Sequence, residues 1–361
     1  MLFYKSINTN RIHSYNSSHF YYENIKKTSK SILDILSIKI DSINLHNYKT
    51  VPLKIFHSIN DFSSSKKTIL TLGTFDGVHI GHKKILEKVT QNTQEGKYES
   101  LVLTFFPHPR MVLQEQADIK LLNTISEKIE LLEKIGIENL VIHPFDETFS
   151  RLSAEDFVET VLVKKLNIHK IIIGHDHRFG RNRTANIDDL IDFGKKYGFE
   201  VEQISVQEIN AISVSSTKIR AALSDGDMSL ANKYLGYDYF LTGTVFKGKQ
   251  LGRTIGFPTA NINIKEDYKL IPKKGAYIVE AIINEKLVSG IMNIGFNPTV
   301  KGESLSLEIH FLNFEGDLYD QNLSVSLLEY LRPEQKFDSL ELLIKQLEID
   351  KATAIAYFNK R

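Results

Sequence analysis

The amino-acid sequence predicts an α/β domain followed by a smaller all-β domain. From Lys67 onward, unbroken apolar runs alternate with segments whose apolar residues lie three and four positions apart. The apolar runs occupy residues 69–72, 101–105, 140–142 and 171–173. Such runs are typical of parallel strands buried on both faces, whereas the wider spacing is typical of helices. The alternation therefore predicts βαβ units and a doubly wound sheet.

After about residue 239 the pattern becomes that of an all-β domain. Several apolar segments alternate with a period of two, and Gly, Asn or Pro separates them. These segments are residues 239–246, 277–283, 287–294, 305–311 and 323–331. They predict a small β-barrel, and helical spacing over 339–357 predicts a C-terminal helix packed on it. We therefore expect an extension at 1–50, the α/β domain at 51–224, a linker at 225–238 and the barrel domain at 239–361.

The first fifty residues differ from the rest of the sequence in composition. They are rich in Ser, Asn, Tyr and Lys and contain only three acidic residues, Glu23, Asp34 and Asp41. We interpret them as a loosely ordered tail. A transit peptide is the alternative, because such peptides are basic and poor in acids. The single arginine, Arg11, weighs against that alternative.

Charge and cysteine content exclude several classes of function. The 361 residues include 45 basic and 44 acidic side chains, so the chain has no long-range field of one sign to attract nucleic acid or an anionic membrane. No run approaches the roughly 18 apolar residues of a membrane span. The sequence has no cysteine, which excludes disulfides, thiolate metal sites and a cysteine nucleophile. We expect a cytoplasmic protein that acts on small molecules.

A Gly-Thr-Phe-Asp-Gly-Val-His-Ile-Gly-His segment at 73–82 links the first predicted strand to the first helix. Glycines let the backbone approach a ligand, and the unpaired N–H groups of a helix N-terminus attract phosphate. His79 and His82 are three residues apart, so both imidazoles can face one phosphate group. The alternatives are a helix-capping turn with surface histidines, or a metal pair. A zinc site would need a third protein ligand.

Three further polar clusters follow predicted strands or open a helix. They are Phe-Phe-Pro-His-Pro-Arg at 105–110, Gly-His-Asp-His-Arg-Phe-Gly-Arg-Asn-Arg at 174–183 and Ser-Ser-Thr-Lys-Ile-Arg at 215–220. In an open α/β sheet, ligands bind at the carboxyl ends of the strands, so these clusters are expected to meet there. Taken alone, each cluster could be a turn, a solvated basic loop or a helix cap, with Ser215 or Ser216 as the N-cap.

The barrel domain carries its own glycine-rich loop at 248–261. Its main-chain N–H groups could bind phosphates, and Thr259 and Asn261 offer hard oxygen ligands that suit Mg²⁺ held jointly with a nucleotide. A glycine-rich hairpin is the alternative.

Glu308 alternates with Leu307 and Ile309, so it lies on the opposite face of its predicted strand. A carboxylate inside a barrel mouth could accept the proton of a substrate hydroxyl.

These motifs carry a resemblance to a known enzyme family. The segments at 73–82 and 215–220 resemble the two signatures of the His-x-Gly-His nucleotidylyltransferase superfamily, and with 105–110 and 174–180 they are similar to the FMN adenylyltransferase module of bacterial bifunctional riboflavin kinase/FAD synthetases. The loop at 248–261, Asn-Ile-Gly-Phe-Asn-Pro-Thr at 293–299, the strand around Glu308 and Leu-Arg-Pro-Glu-Gln-Lys-Phe at 331–337 resemble the riboflavin kinase module. The resemblance implies a Rossmann-like domain followed by a Greek-key barrel.

The resemblance also implies two reactions and a role for each matching residue. Riboflavin and ATP would give FMN in the barrel domain, and FMN and ATP would give FAD in the α/β domain, with Mg²⁺ as the cofactor. The implied catalytic residues are Glu308 as general base, His79 and His82. In the α/β domain, ATP would contact Gly73, Thr74, Phe75, Asp76, Gly81, Ser215, Ser216, Thr217 and Arg220, and FMN would contact His108, Asp176, Phe179 and Arg183. In the barrel, ATP would contact Gly248, Gly252, Arg253, Gly256 and Pro258, the flavin would contact Asn293 and Arg332, and Mg²⁺ would bind Thr259 and Asn261.

Two other functions stay open at this point. A different nucleotidylyltransferase or a tRNA synthetase relative would share the His-x-Gly-His signature. The second domain argues against both, and the near-neutral charge disfavours tRNA binding. A non-catalytic flavin-binding protein would not need an intact Glu308 or His82. The sequence is also compatible with a homo-oligomer. Lys218 stands where many relatives carry arginine, so Arg220 is the residue to which the phosphate-binding role is assigned.

Overall fold

The computed structural model describes residues 52–114, 119–175, 177–205, 214–248, 250–299 and 302–361. The predicted extension at 1–50 lies outside these ranges. A six-stranded sheet is built from β1 (Lys54–Phe56), β2 (Thr68–Leu72), β3 (Glu99–Phe105), β4 (Asn139–His143), β5 (Ile168–Gly174) and β6 (Glu200–Ile204). Its strands are all parallel, in the order β1-β4-β3-β2-β5-β6.

Helices cover both faces of this sheet. They are α1 (Ile80–Gln91), α2 (Pro109–Leu113), α3 (Ile125–Ile135), α4 (Glu147–Ser150), α5 (Ala154–Asp156), α6 (Ile187–Tyr197) and α7 (Ser216–Asp225), and α5 continues directly into a π-helix at Phe157–Lys165. Alternate residues of each central strand enter different cores. On β3, for example, Val102 packs with Leu86 of α1, whereas Leu101 and Leu103 pack with Val161 of the π-helix. The predicted doubly wound class is confirmed.

The chain from Phe240 to Arg332 forms a closed antiparallel barrel. Its strands are β7 (Phe240–Phe246), β8 (Ala260–Asn263), β9 (Gly275–Ile283), β10 (Lys286–Thr299), β11 (Gly302–Phe311) and β12 (Asn322–Arg332), arranged in the cyclic order β10-β11-β8-β7-β12-β9. Strands β9, β10 and β11 follow one another, and β12 returns beside β9, which is a Greek key. The predicted barrel is therefore confirmed, and so is the helix that follows it.

Three more helices complete the described fold: α8 (Met228–Leu235), α9 (Leu251–Thr254) and α10 (Leu340–Phe358). The segment predicted as a linker contains α8, whose Met228, Ala231 and Leu235 belong to the same buried core as the barrel. Side chains of α7 enter that core as well. The two halves are therefore packed together without an extended connection. Within the described ranges, no helix combines the length and the apolar character that a bilayer crossing would require.

Candidate active sites

The first candidate site lies at the carboxyl end of β2, where the strand order reverses between β2 and β5. The turn after β2 has an unusual backbone: Phe75, Gly77 and Val78 all adopt positive φ angles, of 46°, 88° and 35°. A Cβ atom at Gly77 would lie 2.6 Å from Cδ1 of Leu122, so this position requires glycine. The turn places the N-terminus of α1 beside the point where the strand order reverses, which is where open α/β sheets bind ligands.

The two histidines of this turn stack on each other. Their ring centroids are 3.6 Å apart, and Nδ1 of His79 accepts a hydrogen bond of 3.3 Å from the backbone N–H of His82. Burial lowers the pKa of His79 to about 4 and also lowers the pKa of His82, so both rings are neutral at pH 7. Because Nδ1 of His79 accepts, its proton resides on Nε2, where it is a donor. Nδ1 of His82 is shielded from solvent and has no partner among the described residues.

Helix α7 brings the second signature to the same turn. Arg220 forms an ion pair with Asp76, which is only 2 % exposed and also accepts a 2.8 Å hydrogen bond from the backbone N–H of Leu122. Ser216 donates from Oγ to the carbonyl oxygen of Asp76 at 2.9 Å. Burial raises the pKa of Asp76, while the charge of Arg220 opposes that effect. Residues from the two signatures thus meet, although they lie 144 positions apart.

Ser215 is the N-cap of α7, because its Oγ accepts a 3.3 Å hydrogen bond from the backbone N–H of Lys218. Of the two serines expected as possible N-caps, Ser215 is the N-cap. Ser216 instead donates its hydrogen bond to the carbonyl oxygen of Asp76. Thr217 is exposed on the first turn of the helix.

The second candidate site lies on the wall of the barrel, where three strands place polar residues in one row. Glu308 of β11 is directly opposite Asn261 of β8 and Asn293 of β10. Oε1 of Glu308 accepts a 2.8 Å hydrogen bond from Ser306, and Oε2 lies 3.5 Å from Oγ1 of Thr259.

Leu307 and Ile309 fill the barrel core, which confirms that Glu308 lies on the opposite face of its strand, as the alternation predicts. The expected position inside the barrel mouth is corrected by this packing. Successive residues of a strand point to opposite faces, so the carboxylate lies on the outer face.

The glycine-rich loop packs directly against this row. A Cβ atom at Gly248 would lie 2.6 Å from Nδ2 of Asn261, and one at Gly252 would overlap the carbonyl oxygen of Phe257. Gly256 has a φ of 83°. Arg253 and Pro258 are exposed beside it, and Nδ1 of His310 lies 2.9 Å from the carbonyl oxygen of Pro258. The glycines at 248 and 252 therefore let the loop backbone lie close to Asn261 and Thr259.

Comparisons with known proteins identify the family of the two domains that carry these sites. Residues 61–218 match the family model for FAD synthetase, and residues 235–358 match that for riboflavin kinase. The bifunctional riboflavin kinase/FMN adenylyltransferase of Listeria monocytogenes is 37% identical over 81% of this chain and 93% of its own length. The Escherichia coli K12 protein with the same name is 34% identical over 85% and 98%. The chain belongs to this bifunctional family.

A solved structure supports the same architecture across both domains. It is described as a macrolide-efflux protein from Streptococcus pneumoniae, is 28% identical, and aligns with a TM-score of 0.76 over 84% of this chain and 98% of its own. Both the FAD synthetase domain and the riboflavin kinase domain therefore have a counterpart in one experimentally determined chain.

The residues expected to bind FMN in the FAD synthetase domain do not form one cluster. His108 is the N-cap of α2, and burial together with the charges of Lys128 and Arg220 lowers its pKa to about 4, so it lies near those two residues. Phe179 is instead buried in the core, with its ring centroid 6.1 Å from that of Phe157. Arg183 is exposed, and Asp176 lies outside the described residues.

In the riboflavin kinase domain, Arg332 has a structural partner. Its Nε and Nη2 donate to the buried carboxylate of Asp350 on α10, at 2.7 to 3.0 Å. The guanidinium expected to contact the flavin thus attaches the C-terminal helix to β12. Asn293 remains in the row with Glu308.

The oxygen donors of the kinase domain fit an Mg²⁺ ion that is held jointly with a nucleotide better than a metal ion that is held by protein side chains alone. Among the described residues, no group of three or more His, Asp or Glu side chains could hold an ion. Thr259, Asn261 and Glu308 offer a few oxygen atoms instead, and Mg²⁺ in phosphoryl-transfer sites takes its remaining ligands from water and substrate phosphates. The residues present therefore fit a magnesium ion that arrives with ATP.

Sequence reasoning missed one residue of the FAD synthetase site. Lys128 of α3 is 4 % exposed, and its Nζ donates a 2.7 Å hydrogen bond to the carbonyl oxygen of Thr74 in the signature turn. The signal was present, since Lys128 lies on the apolar stripe formed by Ile125, Ile129 and Leu132. A charge on the buried face of an amphipathic helix requires a partner.

Proposed function

We propose that the chain converts riboflavin to FAD in two steps that use two molecules of ATP. In the riboflavin kinase domain, the ribityl hydroxyl oxygen bonds to the γ-phosphorus of ATP, the bond to the β-phosphate oxygen breaks, and ADP leaves. In the FAD synthetase domain, a phosphate oxygen of FMN bonds to the α-phosphorus of ATP and pyrophosphate leaves. The observation that carries the proposal is that each family domain has its own polar cluster, and no residue is shared between them.

In the kinase step, Glu308 accepts the proton of the ribityl hydroxyl. Ser306 supports this role because its hydrogen bond to Oε1 orients the carboxylate and leaves Oε2 toward Thr259. Thr259 and Asn261 would hold the magnesium ion that accompanies ATP. Magnesium, when bound, neutralises the charge that develops on the transferred phosphate. The backbone of the loop from Gly248 to Gly256 binds the nucleotide phosphates.

In the adenylyl-transfer step, the neutral imidazoles of His79 and His82 donate hydrogen bonds to the reacting phosphates. A neutral donor can stabilise developing negative charge without giving up its proton. The pair between Asp76 and Arg220 holds the two signature segments together, and Ser216 adds a second link to the same turn. We assign FMN to the side of the site near His108.

The proposed substrates are small molecules, and we place both reactions in the cytoplasm because a chain without cysteine suits a reducing compartment. We further propose that neither a nucleic acid nor a membrane takes part, since the charges nearly cancel. A homo-oligomer is compatible with this assignment but is not needed for it.

The test is to incubate the full chain with riboflavin, ATP and MgCl₂ and to separate the flavins by chromatography. We expect FMN and then FAD. Glu308→Gln should stop FMN formation but leave FAD formation from supplied FMN, and His82→Ala should do the reverse. Each variant is the other's control for folding. Loss of both activities in either variant would contradict the two-site assignment, and absence of both products from the wild-type chain would refute the function.

A further inference from the structure

Two lysines are buried among the described residues, and they differ in how their charges are compensated. Lys269, in the connection between β8 and β9, has an acceptor for each of its three N–H groups. Its Nζ donates to Oε2 of Glu127 at 2.6 Å, to the carbonyl oxygen of Leu122 at 2.7 Å and to that of Phe240 at 3.0 Å. This ammonium is fully satisfied within the fold.

Lys128 has one acceptor where Lys269 has three. Its only hydrogen bond within the described residues is the one to the carbonyl oxygen of Thr74. Asp76 is the nearest source of negative charge, but its carboxylate is already occupied by Arg220 and by the backbone N–H of Leu122. A buried ammonium with unsatisfied N–H groups is costly unless an anion compensates it.

The surroundings of Lys128 indicate which anion that is. Burial lowers the pKa of His82 on α1 and of His108 at the start of α2, and the charge of Lys128 lowers both further, so the three side chains lie near one another. Nδ1 of His82 is shielded from solvent and has no hydrogen-bond partner among the described residues, which is a second, independent observation that points to a ligand. The N-terminus of α1 opens onto the same turn, and it favours negative charge.

We propose that the ammonium of Lys128 binds an anionic oxygen of the ATP phosphate chain in the adenylyl-transfer reaction. The inference rests on the proposed function of the FAD synthetase domain and adds a phosphate-binding residue that lies outside both signature segments. Lysine suits this role as a compact point charge. Its bond to Thr74 fixes the ammonium relative to the turn that holds His79 and His82.

The protonation of Lys128 gives the assignment a measurable pH dependence. Burial lowers the pKa of Lys128 to about 8, and the charge of Asp76 opposes this effect. The groups that face it are Asp76 after β2, His82 on α1, His108 before α2 and Arg220 on α7, which pairs with Asp76. Both histidines are neutral above pH 7 because burial lowers their pKa values. FAD formation should therefore fall as the pH rises through about 8 and the ammonium loses its proton.

The test compares Lys128→Met and Lys128→Arg with Lys134→Met, an exposed lysine of the same helix that pairs with Glu130. FAD formation from supplied FMN should fall roughly 100-fold in Lys128→Met, the size of effect seen when one donor to a developing charge is removed. It should be unchanged in Lys134→Met. Riboflavin phosphorylation in the same samples reports folding and should be unchanged in all three variants.

Lys128→Arg supplies the second readout, because arginine keeps its charge to a much higher pH. We expect the alkaline fall in FAD formation to move upward in this variant, which a merely structural role would not produce. Full activity of Lys128→Met, an equal loss of both activities, or an unmoved alkaline limb in Lys128→Arg would overturn the assignment. If the wild-type chain makes no FAD from FMN, the proposed function itself fails.

Discussion

Replacing Lys269 by methionine tests what holds the two domains together. Lys269 belongs to the riboflavin kinase domain, and two of its three acceptors, Glu127 and the carbonyl of Leu122, belong to the FAD synthetase domain. Methionine keeps the apolar stem, which packs beside the ring of Tyr239, but removes the ammonium that lies 4.4 Å from that ring's centroid. The substitution therefore removes the charge while leaving most of the packing.

The size of the effect follows from what the substitution leaves behind. The carboxylate of Glu127 keeps hydrogen bonds from the backbone N–H groups of Thr124 and Thr242. It loses the one cation that pairs with it among the described residues, and it stays buried. Breaking a buried pair in this way costs about 3–5 kcal/mol. We expect the free energy of unfolding to fall by that amount.

The assay is urea unfolding at 25 °C followed by circular dichroism, with Lys273→Met as the matched control. Lys273 lies in the same connection and donates to the carbonyl oxygen of Asp225 at 3.1 Å, but it is exposed, so its loss should cost less than about 1 kcal/mol. The double variant Glu127→Gln/Lys269→Met removes both charges and should recover part of the loss. Equal effects of Lys269→Met and Lys273→Met would refute the reasoning.

Two further substitutions test single contacts. Arg332→Met leaves Asp350 buried without the cation that pairs with it. The free energy of unfolding should fall by about 3 kcal/mol in the same urea assay. An unchanged stability with a raised KM for riboflavin would favour the flavin-binding role instead. Gly252→Ala adds a Cβ that overlaps the carbonyl oxygen of Phe257, so riboflavin phosphorylation should be lost while FAD formation from FMN persists; equal kinase activity in Gly252→Ala and wild type would contradict this.

The sequence predicted the architecture well because hydrophobic periodicity reports strands and helices directly. It missed β1, which has three residues, and β6, where Glu200, Glu202 and Gln203 interrupt the apolar residues. It also missed the four-residue barrel strand β8. Short or half-polar edge strands lack the continuous apolar run that marks a central strand.

The site was predicted as a set of residue types, but the contacts among them were not. Asp76 and Arg220 were both expected to contact ATP, and the structure pairs them with each other. Glu308 was correctly placed on the face opposite Leu307 and Ile309, but a strand pattern distinguishes two faces without saying which one lines the barrel core. Such facts depend on tertiary register, which one sequence does not contain.

The packing of α3 explains why domain docking and the adenylyl-transfer site are physically linked. Glu127 and Lys128 are consecutive residues in its first turn, yet Glu127 contacts the riboflavin kinase domain through Lys269, whereas Lys128 contacts the signature turn. The residues just before α3 repeat this division: the carbonyl of Lys120 accepts from Arg220, and the backbone N–H of Leu121 donates to the carbonyl oxygen of the barrel's Tyr268.

Segment 120–128 therefore lies between the two domains and contributes to both. A perturbation that shifts it from the barrel side displaces the backbone that bonds Asp76 and Arg220. Glu308, Asn261 and Asn293 are instead held in register by the barrel strands β11, β8 and β10. It follows that loosening the interface at Lys269 should lower FAD formation more than riboflavin phosphorylation. Equal losses of the two activities in Lys269→Met would mean that the interface supports the whole fold and does not act through the segment.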